Sequence, residues 1–171
     1  MELFILRHGE AGQRSASSAG DRKRPLTSTG KLEISEIAKA LKIIGLKFDL
    51  ILTSPLKRAY DTATIVSKAF NIVNKVQVWN ELAPEGQKTD LYRKISELKE
   101  EYIVLMVGHQ PLLGEMANDM IHRGKSNPCN LVLKKGGIMR IRLLTRGNVP
   151  RGELLWLISP RLLRNIKKNK K

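Results

Sequence analysis

Leu3-Phe4-Ile5-Leu6-Arg7-His8-Gly9-Glu10 is an apolar run that ends in an arginine and a histidine side by side. Four consecutive apolar residues are what a strand covered on both faces requires, and Gly9 breaks the run just after the histidine. In open α/β sheets, ligands gather beyond the carboxyl ends of the strands, which is where this reading puts Arg7 and His8. A guanidinium and an imidazole followed by a glycine turn suit a phosphate, because the backbone can approach the ligand closely there.

The same pattern returns a hundred residues later. Ile103 to Val107 is the most apolar run of the chain and ends in Gly108-His109-Gln110-Pro111, so a second hydrophobic strand delivers a histidine beside a glycine. Between the two, Phe48 to Thr53 reads as a buried strand stopped by Ser54-Pro55. A helix follows from about Leu56 to Phe70, with Arg58 in its first turn, where free backbone amides favour an anion. Leu32, Ile34, Ile37, Leu41 and Ile44 recur at helical spacing and predict a helix over 30–44, with Ser28 or Thr29 as its cap and Gly45 as its stop.

The segment Glu10 to Thr27 is rich in Ser, Gly and Ala, carries Arg14, Arg22, Lys23 and Arg24, and reads as a loop, part of which borders the cleft. Lys75 to Trp79 reads as a third strand, followed by a turn over 80–86 and a helix capped by Thr89 and reaching about Glu100. Leu112 to Ile121 is a further helix, and His122 stands at its end with no motif around it. Arg140 and Arg142 alternate with Met139, Ile141 and Leu143, one face wet and one buried, which predicts an edge strand over 138–143; Glu153 to Ile158 is the final strand. Strands alternating with helices imply a three-layer α/β/α sandwich with right-handed crossovers, its central sheet mostly parallel and closed by one or two antiparallel edge strands. Residues 1–160 read as a single domain and 161–171 as a basic, solvated, frayed C-terminal tail.

Composition narrows the class. A chain of 171 residues, 42% of them hydrophobic, suits one domain with a sizeable core. No apolar run approaches the roughly 20 residues a membrane span needs, and the start lacks the basic segment of a secretion signal. One cysteine, Cys129, allows no intrachain disulfide, which agrees with a reducing cytoplasm, and provides no metal-binding cluster; it also lacks a neighbouring base that would make it a nucleophile. The formal net charge of +15 is a strong excess, and the body remains basic when the tail is set aside. Such a field draws in phosphates, acidic protein surfaces or nucleic acid.

On this layout Arg7, His8, Arg58 and His109 converge on one edge of one sheet. Two arginines can grip the oxygens of a phosphoryl group, and a neutral imidazole can attack phosphorus if its other nitrogen donates to a backbone carbonyl. A second imidazole can stabilise the charge on the equatorial oxygens, so the set suffices without a metal or other cofactor. The plain alternative is a pair of core-edge histidines satisfied by backbone groups, with Arg7 and Arg58 in ion pairs to Glu10 and Asp61.

The segments LFILRHGEA at 3–11, RPLTSTG at 24–30, LTSPLKRAYDTA at 52–63, ELAPEG at 81–86 and VLMVGHQP at 104–111 together resemble the histidine phosphatase superfamily, with its phosphoglycerate mutase-like fold, and within it the SixA-type phosphohistidine phosphatases. ELLWLISP at 153–160 resembles the end of that subgroup. The resemblance implies that His8 becomes phosphorylated, that Arg7 and Arg58 clamp the phosphate, and that His109 is the second pocket histidine. Larger members of the family use an acidic proton donor, for which Glu81 is the candidate here and Glu85 the weaker one. A phosphohistidine substrate has less need of such an acid, because a protonated phosphoramidate releases its imidazole readily.

The 59–108 stretch is taken up by helix, strand and helix and leaves no lid domain, so an open pocket is expected. That suits phosphohistidine presented on a protein, such as an acidic histidine-containing phosphotransfer domain. The rival is a small phosphomonoester, a sugar phosphate or nucleotide, handled by the same machinery. A non-enzymatic module binding nucleic acid through the basic surface is the third reading, and Arg140 and Arg142 would serve it.

Overall fold

Leu3 to Leu6 are all buried because strand β1 (Glu2–Arg7) is covered on both sides: Leu3 and Ile5 enter one apolar cluster, Phe4 and Leu6 the other. The computed structural model describes residues 1–14, 16–122 and 131–166, so Cys129 and residues 167–171 lie outside it. Around β1 stand β2 (Leu50–Thr53), β3 (Val76–Val78), β4 (Ile103–Gly108), β5 (Ile138–Thr145) and β6 (Arg151–Ile158), in the spatial order β3-β2-β4-β1-β5-β6. Strands β1 to β4 pair in parallel, whereas β5 runs antiparallel to both β1 and β6.

The described residues also form six α-helices: α1 (Ser18–Lys23), α2 (Ser28–Ile43), α3 (Lys57–Phe70), α4 (Lys88–Ser96), α5 (Leu112–His122) and α6 (Pro160–Ile166). Ile34, Ile37 and Leu41 of α2, Ala59, Ala63 and Val66 of α3 and Leu163 of α6 cover the Phe4 side of the sheet. Leu91, Tyr92 and Ile95 of α4 and Leu113, Met116 and Met120 of α5 cover the Leu3 side, which makes the three layers. None of the described helices is long and apolar enough to cross a membrane.

Several local expectations are corrected. The α2 cap is Thr27, whose hydroxyl accepts from Gly30 N at 2.9 Å, one residue ahead of Ser28. Gly45 follows the helix at φ +82°, the left-handed conformation a glycine adopts without cost. Helix α4 stops at Ser96, short of Glu100, and its N-cap position is Gln87 without a side-chain hydrogen bond, so Thr89 lies within the helix.

Strand β5 is no edge strand. It lies between β1 and β6, and its alternating arginines are balanced by Glu2 of β1, at 2.8 Å from Arg140 Nε and 3.1 Å from Arg142 Nε. The antiparallel edge is β6. The 10–27 segment also contains helix α1, begun by the Ser17 hydroxyl accepting from Gly20 N, and an antiparallel bridge between Ala11 and Leu26 closes its base. Finally, residues 161–166 are not frayed: Leu163 is fully buried, and Arg164 reaches Glu33 and Glu36 of α2 at 2.6 and 2.7 Å.

Candidate active site

Strands β1 and β4 are neighbours in parallel register, Arg7 opposite Gly108, so the residue after each strand arrives at the same place. His8 N donates to Gly108 O at 3.1 Å, and the His8 and His109 ring centroids are 4.9 Å apart. Nδ1 of His8 lies 2.7 Å from Gly9 O. A carbonyl only accepts, so Nδ1 carries the proton and Nε2 keeps its lone pair. Arg58 Nε donates to that Nε2 at 3.3 Å. On the other ring, His109 Nε2 is 2.8 Å from Ser54 Oγ, while its buried Nδ1 has no protein partner.

Two further residues hold this floor in place. Thr62 Oγ1 accepts from Gly9 N at 3.1 Å and donates to Arg58 O at 2.7 Å, which ties the turn after His8 to the helix that carries Arg58. Gly9 and Gly30 permit the close approach of that turn to α2: a Cβ at Gly30 would stand 2.2 Å from Glu10 O. Arg7 is held by its Nη1 donating to Leu133 O at 2.8 Å, and its buried Nε is without a partner.

The side chains of Arg7, His8, Arg58 and His109 line a cavity of about 890 Å³. The 10–27 segment forms one wall with Arg14, Asp21, Arg22 and Arg24, while Pro84, Glu85 and Lys135 line other sides. From 59–108, only the 84–85 turn reaches the cavity among the described residues, with no separate domain over it. Asp21 is the wall's link to the floor. Arg58 Nη1 donates to its main-chain oxygen at 2.9 Å, and Arg58 Nη2 is 3.2 Å from its Oδ2.

The structure thus brings together Arg7, His8, Arg58 and His109, and does not bring Glu81 into the cavity lining. Glu81 instead pairs with Lys94 at 2.9 Å. Burial pushes its carboxyl up, but the Lys94 ammonium outweighs that and holds it below the usual range, so Glu81 is a carboxylate rather than a ready acid. Glu85 does line the cavity and pairs with Arg22 of α1.

Electrostatics keep both imidazoles neutral. Burial pushes His8 down to about 4, assisted by the charges of Arg58, Arg7 and Arg24 and opposed by the bond to Gly9 O. Burial, then the neighbouring His8 and the arginines, push His109 down to about 2. A neutral, tautomer-fixed imidazole next to one buried and one half-buried guanidinium can act as a nucleophile toward an electrophile that carries negative oxygens.

Sequence reasoning missed Ser54, Thr62, Asp21 and Arg24 as parts of this site. Thr62 lies four residues after Arg58 on one helix, a spacing that places both on one face. Asp21 had no such signal, since its role depends on a short helix that the serine-rich composition conceals.

The chain is similar to several known proteins. A family model described as the histidine phosphatase superfamily (branch 1) matches residues 3–85. The phosphohistidine phosphatase SixA of Escherichia coli (strain K12) is 31% identical over 162 residues, 94% of this chain and 94% of that protein. An uncharacterized protein of Picosynechococcus is 40% identical over 83% of this chain and 85% of its own length. Among solved structures, the protein histidine phosphatase SixA complexed with tungstate superposes with a TM-score of 0.81 at 29% identity, covering 95% of this chain and 99% of that one.

Proposed function

The chain belongs to the histidine phosphatase superfamily and is a phosphatase, and we propose that it removes the phosphoryl group from phosphohistidine in a protein, through a covalent phosphohistidine on His8. The observation that carries this reading is the His8 ring: its Nε2 lone pair is fixed by the Nδ1 bond to Gly9 O at 2.7 Å and lies in a cavity beside Arg58, Arg7 and His109.

In the first step Nε2 of His8 forms a bond to phosphorus while the bond from phosphorus to the substrate imidazole breaks, and that imidazole leaves with the proton of the phosphoramidate. Water then attacks the phosphorus, the bond to His8 breaks, and inorganic phosphate is released. Arg7 and Arg58 hold the non-bridging oxygens, and His109 lines the same cavity beside them. No metal enters this chemistry, because positioning and positive charge are what the loose transition state needs.

Relatedness to SixA supports a protein substrate, and the +15 net charge favours an acidic one such as a histidine-containing phosphotransfer domain. The presence of Glu85 in the cavity lining favours a second reading, the hydrolysis of a small phosphomonoester, whose alkoxide leaving group requires a proton donor. The test offers the purified protein a phosphohistidine-bearing protein and a panel of sugar phosphates and nucleotides, with His8→Ala as control. Faster turnover of the protein is expected. A higher kcat/KM for any small ester would promote the second reading, and tight, salt-dependent RNA binding without hydrolysis of either kind would overturn both.

A further inference from the structure

Arg58 already carries a carboxylate. Its Nη2 is 3.2 Å from Asp21 Oδ2, its Nη1 donates to the Asp21 main-chain oxygen at 2.9 Å, and its Nε is spent on His8 at 3.3 Å. The other carboxylate oxygen of Asp21 is 3.1 Å from Arg24 Nη2. Asp21 therefore sits between two guanidiniums that both line the cavity. The six residues of α1 include none that is buried, so polar ties hold the helix there: Asp21 to Arg58, and Arg22 to Glu85.

We propose that Asp21 is an internal competitor for the phosphate clamp, a positioning residue that sets the affinity of the site for phosphate. A phosphoryl group on Arg58 must share that guanidinium with the Asp21 carboxylate or displace it. Two anions on one cation in a partly buried site repel, so phosphate is held more loosely than Arg7, Arg58 and Arg24 would hold it alone. Inorganic phosphate, the product of the second step, then leaves readily after each turnover. The proposal rests on the assignment of Arg58 to the phosphate. A merely structural role, in which Asp21 only aims Arg58, predicts the opposite sign, because loosening the arginine would weaken the anion's hold.

Calorimetric titration of the full chain with inorganic phosphate, and with tungstate as a second tetrahedral oxyanion, decides between the two. Asp21→Asn keeps the side-chain shape and removes the charge. It is expected to bind both anions about tenfold tighter, a tenfold change being about 1.4 kcal/mol. Asp21→Glu is expected to restore wild-type affinity. In turnover of a phosphohistidine-bearing protein, Asp21→Asn should lower KM and sharpen inhibition by added phosphate without raising kcat. Equal or weaker anion binding by Asp21→Asn would overturn the proposal, and Asp21→Ser gives the same reading should the asparagine variant fold poorly. Anion binding is measured without hydrolysis, so a wild type that binds phosphate but hydrolyses nothing would count against the phosphatase mechanism and leave this inference to its own result.

Discussion

The floor of the cavity and its wall are built by different physics. His8 and His109 follow two adjacent strands whose residues Leu3 to Leu6 and Val104 to Val107 are buried on both faces, so the backbone delivering them is fixed by the core. Helix α1 in the wall has no fully buried residue and is held by ion pairs and by the bond from Arg58 to the Asp21 main chain. Each arrangement suits its task. Chemistry needs atoms held to within fractions of an ångström, which close packing supplies. Admission and release of a charged ligand need contacts that a rival charge can replace, which exposed or half-buried ion pairs supply.

If this division holds, changes in the floor affect catalysis or stability and changes in the wall affect only ligand affinity. The largest effect is expected from His8→Ala, which removes the nucleophile and should lower kcat by about 10⁴-fold or more, read from single-turnover phosphate release, with the melting temperature little changed. Gly30→Ala tests how tightly the floor is packed against α2. Its Cβ would meet Glu10 O at 2.2 Å, and a loss of about 2–4 kcal/mol in urea unfolding is expected. Thr62→Val leaves Gly9 N without its acceptor and should cost about 1–2 kcal/mol together with a measurable fall in kcat/KM.

The pH dependence is the next test. His8 is pushed down to about 4 in the folded chain from an ordinary 6.5, so between these values the unfolded chain binds a proton that the native one does not. Stability from this group is therefore present above pH 6.5 and is lost as the pH falls toward 4. For the same reason kcat/KM should show no inflection at 6.5 from His8 and should fall only on approaching 4. Arg22→Ala, in the wall, breaks the pair with Glu85 and should change stability by less than about 0.5 kcal/mol; a loss comparable to that of Thr62→Val would erase the distinction between the two regions.

How much of this was legible beforehand follows the same division. The strand ends were readable because uninterrupted apolar runs stop at Arg7-His8 and at Gly108-His109, and a two-sided buried strand leaves little else for such runs to do. Arg58 followed from helical spacing after a serine-proline stop. Helix α1 was not readable, since six residues with no buried side chain leave no hydrophobic period in the sequence. Nor was the interior position of β5: alternating arginines look the same whether they face water or the Glu2 carboxylate of a neighbouring strand. Glu81 was favoured over Glu85 from motif position alone, and the direction each side chain takes from the 80–86 turn is decided by Lys94 and Arg22, far away in sequence.

The seating of α6 on α2 reaches further than its seven residues suggest. Leu163 closes the apolar face of α2 and Arg164 grips its outer carboxylates, while the first turn of that same helix abuts the Gly9 turn through Gly30. A tether or fluorescent fusion placed ahead of residue 160 would therefore pull on α2 within two turns of Gly30, close to the bend that carries the nucleophile, whereas one attached beyond Ile166 would spare that seating.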